Sequence, residues 1–142
     1  MPSVADIGTL TDADIPAAIT LWQSAGLTRP WNDPEVDARR ALAAPTASIF
    51  AARVAGELVG TVMTGHDGHR GWVYYLAVAS DHQRHGIARQ LMAAAENWCA
   101  AQGMPRLNLM VRAGNDRVIG FYHRLGYRTS DVVVLQKDLG AG

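Results

Sequence analysis

The chain has 142 residues, of which 49% are hydrophobic and 18% charged. That length predicts one domain spanning residues 1–142, large enough to bury a core without disulfides or metals. The composition excludes an intrinsically disordered chain. Acidic and basic residues balance at 13 each, which argues against a nucleic-acid partner, because phosphate binding needs an excess of cations. Cys99 is the only cysteine, so no internal disulfide and no cysteine-based zinc site is available. No stretch approaches the roughly 18 apolar residues of a membrane span. The first residues lack the charged-then-apolar pattern of a leader. The expectation is a cytoplasmic protein with no membrane partner.

Val4 to Gly8 reads as a short edge strand. Thr11 and Asp14 have the spacing of a weak capping box. Ile15, Ile19 and Trp22 then form a helical stripe that Gly26 ends. Asp33-Pro34-Glu35 starts a second helix, with Asp33 as N-cap and Pro34 in the first turn, and Pro45 stops it. Ser48–Val54, Leu58–Thr64 and Trp72–Ala79 follow as strands joined by tight turns, the second of which contains Asp67-Gly68. They predict an antiparallel meander.

Ile87, Leu91, Ala94, Ala95 and Trp98 share one helical face, in a helix that Gly86 opens and Gly103 closes. Leu107–Arg112 predicts a strand, Asn115–Leu125 a short helix closed by Gly126, and Val132 through Leu139 a last strand. Strand, helix and strand from Trp72 to Arg112 imply a parallel pair with a crossover helix. The fold class is therefore α/β, a mixed sheet with helices on both faces.

Gln83-Arg84-His85-Gly86-Ile87-Ala88 joins a strand to a helix. Unpaired amides and the helix dipole make such a start attractive to anions. Gly86 allows close backbone approach, and Ala88 does not obstruct it. Arg84, His85 and Arg89 add positive charge, so a diphosphate is the natural guest. The alternative is a plain glycine turn with surface arginines. Neither the dinucleotide G-x-G-x-x-G nor the P-loop pattern occurs in the sequence.

Gln83-x-x-Gly86-x-Ala88 matches the acetyl-CoA signature of the GNAT acetyltransferases. Tyr75-Leu76-Ala77-Val78 resembles the strand that precedes it in that family. Asn115 and Phe121-Tyr122-x-x-Leu125-Gly126-Tyr127 match a second family signature. The chain thus resembles the GNAT superfamily over about Trp72 to Tyr127. Gly26 to Pro34 and Gly65 to Trp72 look like the bacterial YpeA-like subgroup.

The resemblance implies a splay between Trp72–Ala79 and Leu107–Arg112 that receives the pantetheine arm of acetyl-CoA. The arm would pair with backbone at Leu76, Ala77 and Val78. The diphosphate would sit on the amides from Gln83 through Arg84, His85, Gly86, Ile87 and Ala88 to Arg89. Asn115 would contact the arm. The Val78 N–H would donate to the thioester oxygen, and Tyr122 would protonate the leaving sulfur. Without the family match, Phe121-Tyr122 reads as packing, and Cys99 reads as a buried core residue.

Many family members carry Glu two residues before the position of Leu76, where this chain has Tyr74. Substitute bases are His66, Asp67, His69 and Asp33. Trp31, Asp33, His66, Asp67 and Tyr74 are the candidates for contacting the acceptor, with Trp22 and Arg29 beside them. That acceptor would be an amine, on a small molecule or on a protein N-terminus or lysine. His66, Asp67 and His69 give too few ligands for a metal site. The last strand is open to pairing across a homodimer. The rival function is a non-catalytic acetyl-CoA-binding sensor or interaction module.

Overall fold

The computed structural model describes residues 5–83 and 85–140. Val4 and Arg84, both named above, lie outside the described residues. The chain divides into two compact units, Met1–Leu109 and Met110–Gly142.

The first unit is built on a five-stranded sheet in the order β1-β2-β3-β4-β5. The strands are β1 (Asp6–Thr9), β2 (Ala47–Val54), β3 (Glu57–His66), β4 (Gly71–Val78) and β5 (Leu107–Leu109). β1 to β4 pair antiparallel, while β4 and β5 run parallel. Helices α1 (Ile15–Ser24) and α2 (Pro34–Ala43) connect β1 to β2, and α3 (Ile87–Ala101) is the crossover from β4 to β5.

Neighbouring residues of β3 show that the helices cover both faces. Thr61 receives the indole N–H of Trp22 from α1 at 2.8 Å. Gly60, pointing the opposite way, lies under α3. A Cβ on Gly60 would stand 3.0 Å from Leu91 Cδ1 and 3.3 Å from Ile87 Cγ2. The core on the first face gathers Leu10, Ile15, Ala18, Trp22, Ala38, Ile49 and Ala77. On the other, Ile87, Leu91, Met92, Ala95 and Cys99 are buried. Cys99 is a core residue as expected, with its Sγ 3.3 Å from Thr64 Oγ1.

The predicted caps form. Asp33 accepts from the Glu35 and Val36 amides at the start of α2. Asp14 accepts from the Thr11 amide at 2.8 Å, and it also takes Arg53 Nη1 of β2 at 2.9 Å.

In the second unit, α4 (Asp116–Arg124) is N-capped by Asn115, whose Oδ1 accepts from the Val118 amide at 3.4 Å. The predicted last strand, Val132 through Leu139, is not a strand in the structure. Strand propensity alone does not form one, because a strand needs a ladder partner, and α4 is the only regular element among the described residues of this unit. The apolar side chains remain outside, with Val133 85% and Leu135 91% exposed. The expected strand Leu107–Arg112 also shortens to Leu107–Leu109.

The Arg53 guanidinium beside Asp14 holds its carboxyl well below the usual range. A lowered carboxyl pKa stabilises the fold above the unfolded value of about 3.9. That contribution is lost as the pH falls from there toward the folded value. Asp14→Asn should lower stability at neutral pH by ~1 kcal/mol and flatten the decline of stability below about pH 4. Urea titrations of both proteins at stepped pH check this.

Candidate active site

The site in the first unit begins with a break in the sheet. Thr61 pairs with Ala77 and Met63 with Tyr74, so Tyr75 and Leu76 oppose Val62 alone. This is a β-bulge, and Tyr75 adopts a positive φ of 54° to make it. A tyrosine avoids that region unless its surroundings impose it. Here Thr61 Oγ1 donates to the Tyr75 carbonyl at 2.9 Å while accepting from Trp22. The Trp22 ring stacks on Tyr75 with centroids 4.1 Å apart. The Tyr75 hydroxyl donates to Asp37 of α2 at 2.7 Å. Backbone, ring and hydroxyl of Tyr75 are therefore each held.

Beyond the bulge, β4 loses its outer neighbour. Parallel pairing to β5 runs from Gly71–Leu107 to Val73–Leu109 and stops. The Ala79 amide donates inward to Val59 at 2.7 Å. Alternation along an antiparallel ladder then turns Ala77 toward β3 and Leu76 and Val78 toward the outer edge. No strand covers that edge from Tyr74 to Val78 among the described residues. The backbone of this stretch of β4 is thus left without a strand neighbour on that side.

The same edge leads into the glycine turn. Gln83 Nε2 donates to the Val78 carbonyl at 3.1 Å, so its side chain anchors the turn to the strand. His85 stands edge-on to His82. Gly86 is the N-cap of α3 with φ 78°, and among the described residues no side chain caps the helix. A Cβ on Gly86 would meet nothing within 4 Å, so there is room beside the glycine at the start of α3. The Ile87, Ala88 and Arg89 amides precede the first i to i−4 bond, from Gln90 to Gly86. The arrangement offers unpaired donors and a helix dipole at the end of an unpaired strand edge.

The remaining candidates are scattered. Trp31 is 67% exposed. Asp33 spends its carboxylate on the α2 cap. His66 Nδ1 accepts from the Gly68 amide at 3.1 Å, and its ring lies against Trp98 of α3. Asp67 accepts from the His69 and Arg70 amides and from the Trp72 indole, closing the hairpin. The amide hydrogen bonds, that from Arg70 foremost, lower its pKa. Trp22 is a core residue, and Arg29 binds the carbonyls of Gly26 and Thr28.

Tyr74 alone among the acceptor candidates lines a cavity of about 330 Å³ between α2 and the sheet. Its other walls include Tyr75 and also Asp37, Arg40 and Met63, three residues that the sequence did not single out. Consecutive strand residues normally face opposite ways, but the bulge brings both tyrosines to this cavity. Burial, and then the Asp67 carboxylate, raise the Tyr74 pKa.

In the second unit, Tyr122 is buried between Phe121 and Tyr127, which both meet it edge-on. Burial pushes its phenol up to about 12, which keeps it protonated at neutral pH.

Residues 17–127 match the model of the acetyltransferase (GNAT) family. The chain belongs to the GNAT acetyltransferase family. An acetyltransferase of Pectobacterium atrosepticum is 48% identical over 126 residues, covering 89% of each protein. One of Sodalis glossinidius is 48% identical over 122 residues, covering 86% of each. Among solved structures, aminoglycoside acetyltransferase AAC(6')-Iy with a bisubstrate analogue superposes at a TM-score of 0.83 with 18% identity, over 96% of this chain and 99% of that one. The ribosomal-protein-alanine N-acetyltransferase of Brucella melitensis biovar Abortus 2308 gives 0.76 and 23%, over 95% and 99%. This GNAT protein is an acetyl-CoA-dependent acyltransferase, as its family model and curated relatives agree.

The bulge of this acetyltransferase depends on the Thr61 hydroxyl. Thr61→Val keeps the shape but leaves the Trp22 N–H and the Tyr75 carbonyl without that partner. Stability should fall by roughly 2–3 kcal/mol, as measured by urea unfolding followed through Trp fluorescence.

Proposed function

We propose that this chain moves the acetyl group of acetyl-CoA directly to a primary amine, within one N-acetyltransferase domain spanning the chain. The observation that carries this reading is the uncapped start of α3 at the end of the open β4 edge. Acetyl-CoA supplies the activated acetyl group and a thiol leaving group.

The Ile87, Ala88 and Arg89 amides hold the diphosphate, helped by the backbone at His85 and Gly86 and by the charge of Arg84. Leu76 and Val78 pair with the pantetheine arm as an added strand, with Ala77 fixed between them. Asn115 meets the arm with its side-chain amide NH₂, its Oδ1 being the α4 cap. The Val78 N–H donates to the thioester oxygen, where negative charge grows. The acceptor ammonium loses a proton to water, its nitrogen bonds to the carbonyl carbon and gives up a second proton to water, and the carbon–sulfur bond breaks. Tyr122 gives its phenolic proton to the sulfur and is reprotonated from solvent.

Asp33 and Asp67 are engaged with backbone amides, so we assign removal of the ammonium proton to water. Trp31 and Tyr74 border the acceptor, with the hairpin residues His66 and Asp67 at its rim. A homodimer joined through Val132–Leu135 agrees with the exposure of that apolar run.

Gly86→Val tests the binding half. The added side chain has room but forces a β-branched residue to a positive φ beside the open amides. Acetyl-CoA affinity by calorimetry should fall about tenfold or more, and an unchanged affinity would remove the α3 start from the site. Tyr122→Phe tests the chemistry on a panel of amines. Turnover should fall roughly 100-fold or more while the KM for acetyl-CoA holds. With the phenol at about 12, kcat/KM should rise as the amine deprotonates and show no downward limb below about pH 11. Acetyl-CoA binding without turnover of any amine would leave the sensor reading.

A further inference from the structure

The cavity beside Tyr74 has a composition that selects among amines. Asp37 and Arg40 stand three residues apart on α2, hence on one face of the helix. Both line the same cavity, together with Ala41, Ala44, Ala47 and Met63. Tyr74 and Tyr75 complete it on the sheet side. Its surface is thus mainly apolar, with one carboxylate and one guanidinium.

These charges do not cancel each other. Asp37 is bonded to the Tyr75 hydroxyl through Oδ2, which leaves Oδ1 to accept from a ligand. No ion pair joins Asp37 to Arg40, and Arg40 forms none with any other described residue. An arginine fork without a partner beside an apolar cavity suits a carboxylate. A volume of about 330 Å³ is at the small end for ligand sites and fits one compact molecule.

We propose that this cavity binds the acceptor, and that the acceptor is a free α-amino acid with an apolar or aromatic side chain. The inference rests on the transferase reading for its chemistry, though not for the binding itself. The α-carboxylate lies on Arg40 and the α-ammonium on Asp37. The side chain lies over Ala41, Ala44 and Met63 between the tyrosines. Tyr74 and Tyr75 begin the open edge and immediately precede Leu76, so an amine held here lies next to the strand that carries the thioester. The α-ammonium becomes an N-acetyl group: the nitrogen–carbon bond replaces the carbon–sulfur bond, CoA leaves as its thiol, and one proton passes to water.

The test compares L-phenylalanine with 2-phenylethylamine, which keeps ring and amine and lacks the carboxylate. With acetyl-CoA, kcat/KM should favour phenylalanine about tenfold or more, and Arg40→Gln should erase most of that preference. Equal use of the two amines, or a preference that survives Arg40→Gln, overturns the proposal. Calorimetry on the same preparations separates the two levels. If acetyl-CoA binds and phenylalanine neither binds nor reacts, the acceptor assignment fails alone. If phenylalanine binds in an Arg40-dependent way while acetyl-CoA does not bind, the cavity assignment stands and the transferase reading fails.

Discussion

The structure turns on a tyrosine held in a backbone conformation it does not favour. The bulge at Tyr75 interrupts the β3–β4 ladder just past the point where β5 stops pairing with β4. That pairing ends after Val73–Leu109, and Leu76 and Val78 offer their amide groups to something outside the sheet. Left-handed backbone at a non-glycine residue costs on the order of 1–3 kcal/mol. Three attachments offset it: the Thr61 hydroxyl on the carbonyl, Trp22 on the ring and Asp37 on the phenol. The threonine matters most, since its one hydroxyl satisfies both a buried indole and a displaced carbonyl.

A second constraint places the uncapped start of α3. Gly60 sits opposite Val78 in the ladder, and its missing side chain lets Ile87 and Leu91 settle onto the sheet. The first turn of α3 is therefore pinned beside the last residue of β4. Gln83 closes the remaining gap by binding the Val78 carbonyl. The open strand edge and the uncapped helix start thus lie on one short path, as an elongated ligand with a charged end requires.

The parts read correctly from sequence are those whose signal is local. Asp33-Pro34-Glu35 starts a helix because its carboxylate satisfies amides two and three residues away, and that survives any tertiary context. Gly86 at the head of an amphipathic helix is of the same kind. The last strand was misread because β-branched residues state a preference while a ladder needs a partner elsewhere. Asp67 has the residue type of a base, yet three donors within five residues of it claim the carboxylate. Asp37 and Arg40 were invisible for the opposite reason. On α2 they read as ordinary surface charges, and only the positive φ at Tyr75, which no pattern announces, brings the two tyrosines to meet them.

This division has a chemical logic. The proposed cofactor end is built mostly from backbone: amides of α3 and the edge of β4. Such groups tolerate exchange of most side chains, provided the glycine turn and the bulge persist. The cavity next to Tyr74 is built from side chains of α2 and the tyrosine pair, which can change without disturbing either backbone element. Asp37 is the exception, since it serves both sides. Its Oδ2 steadies the tyrosine beside the open edge, and the residue also lines the cavity. A substitution there would alter ligand preference and loosen the bulge together, whereas a change at Arg40 alters the cavity alone. In the proposed site, acceptor choice is therefore most freely tuned from α2, and least freely from β4.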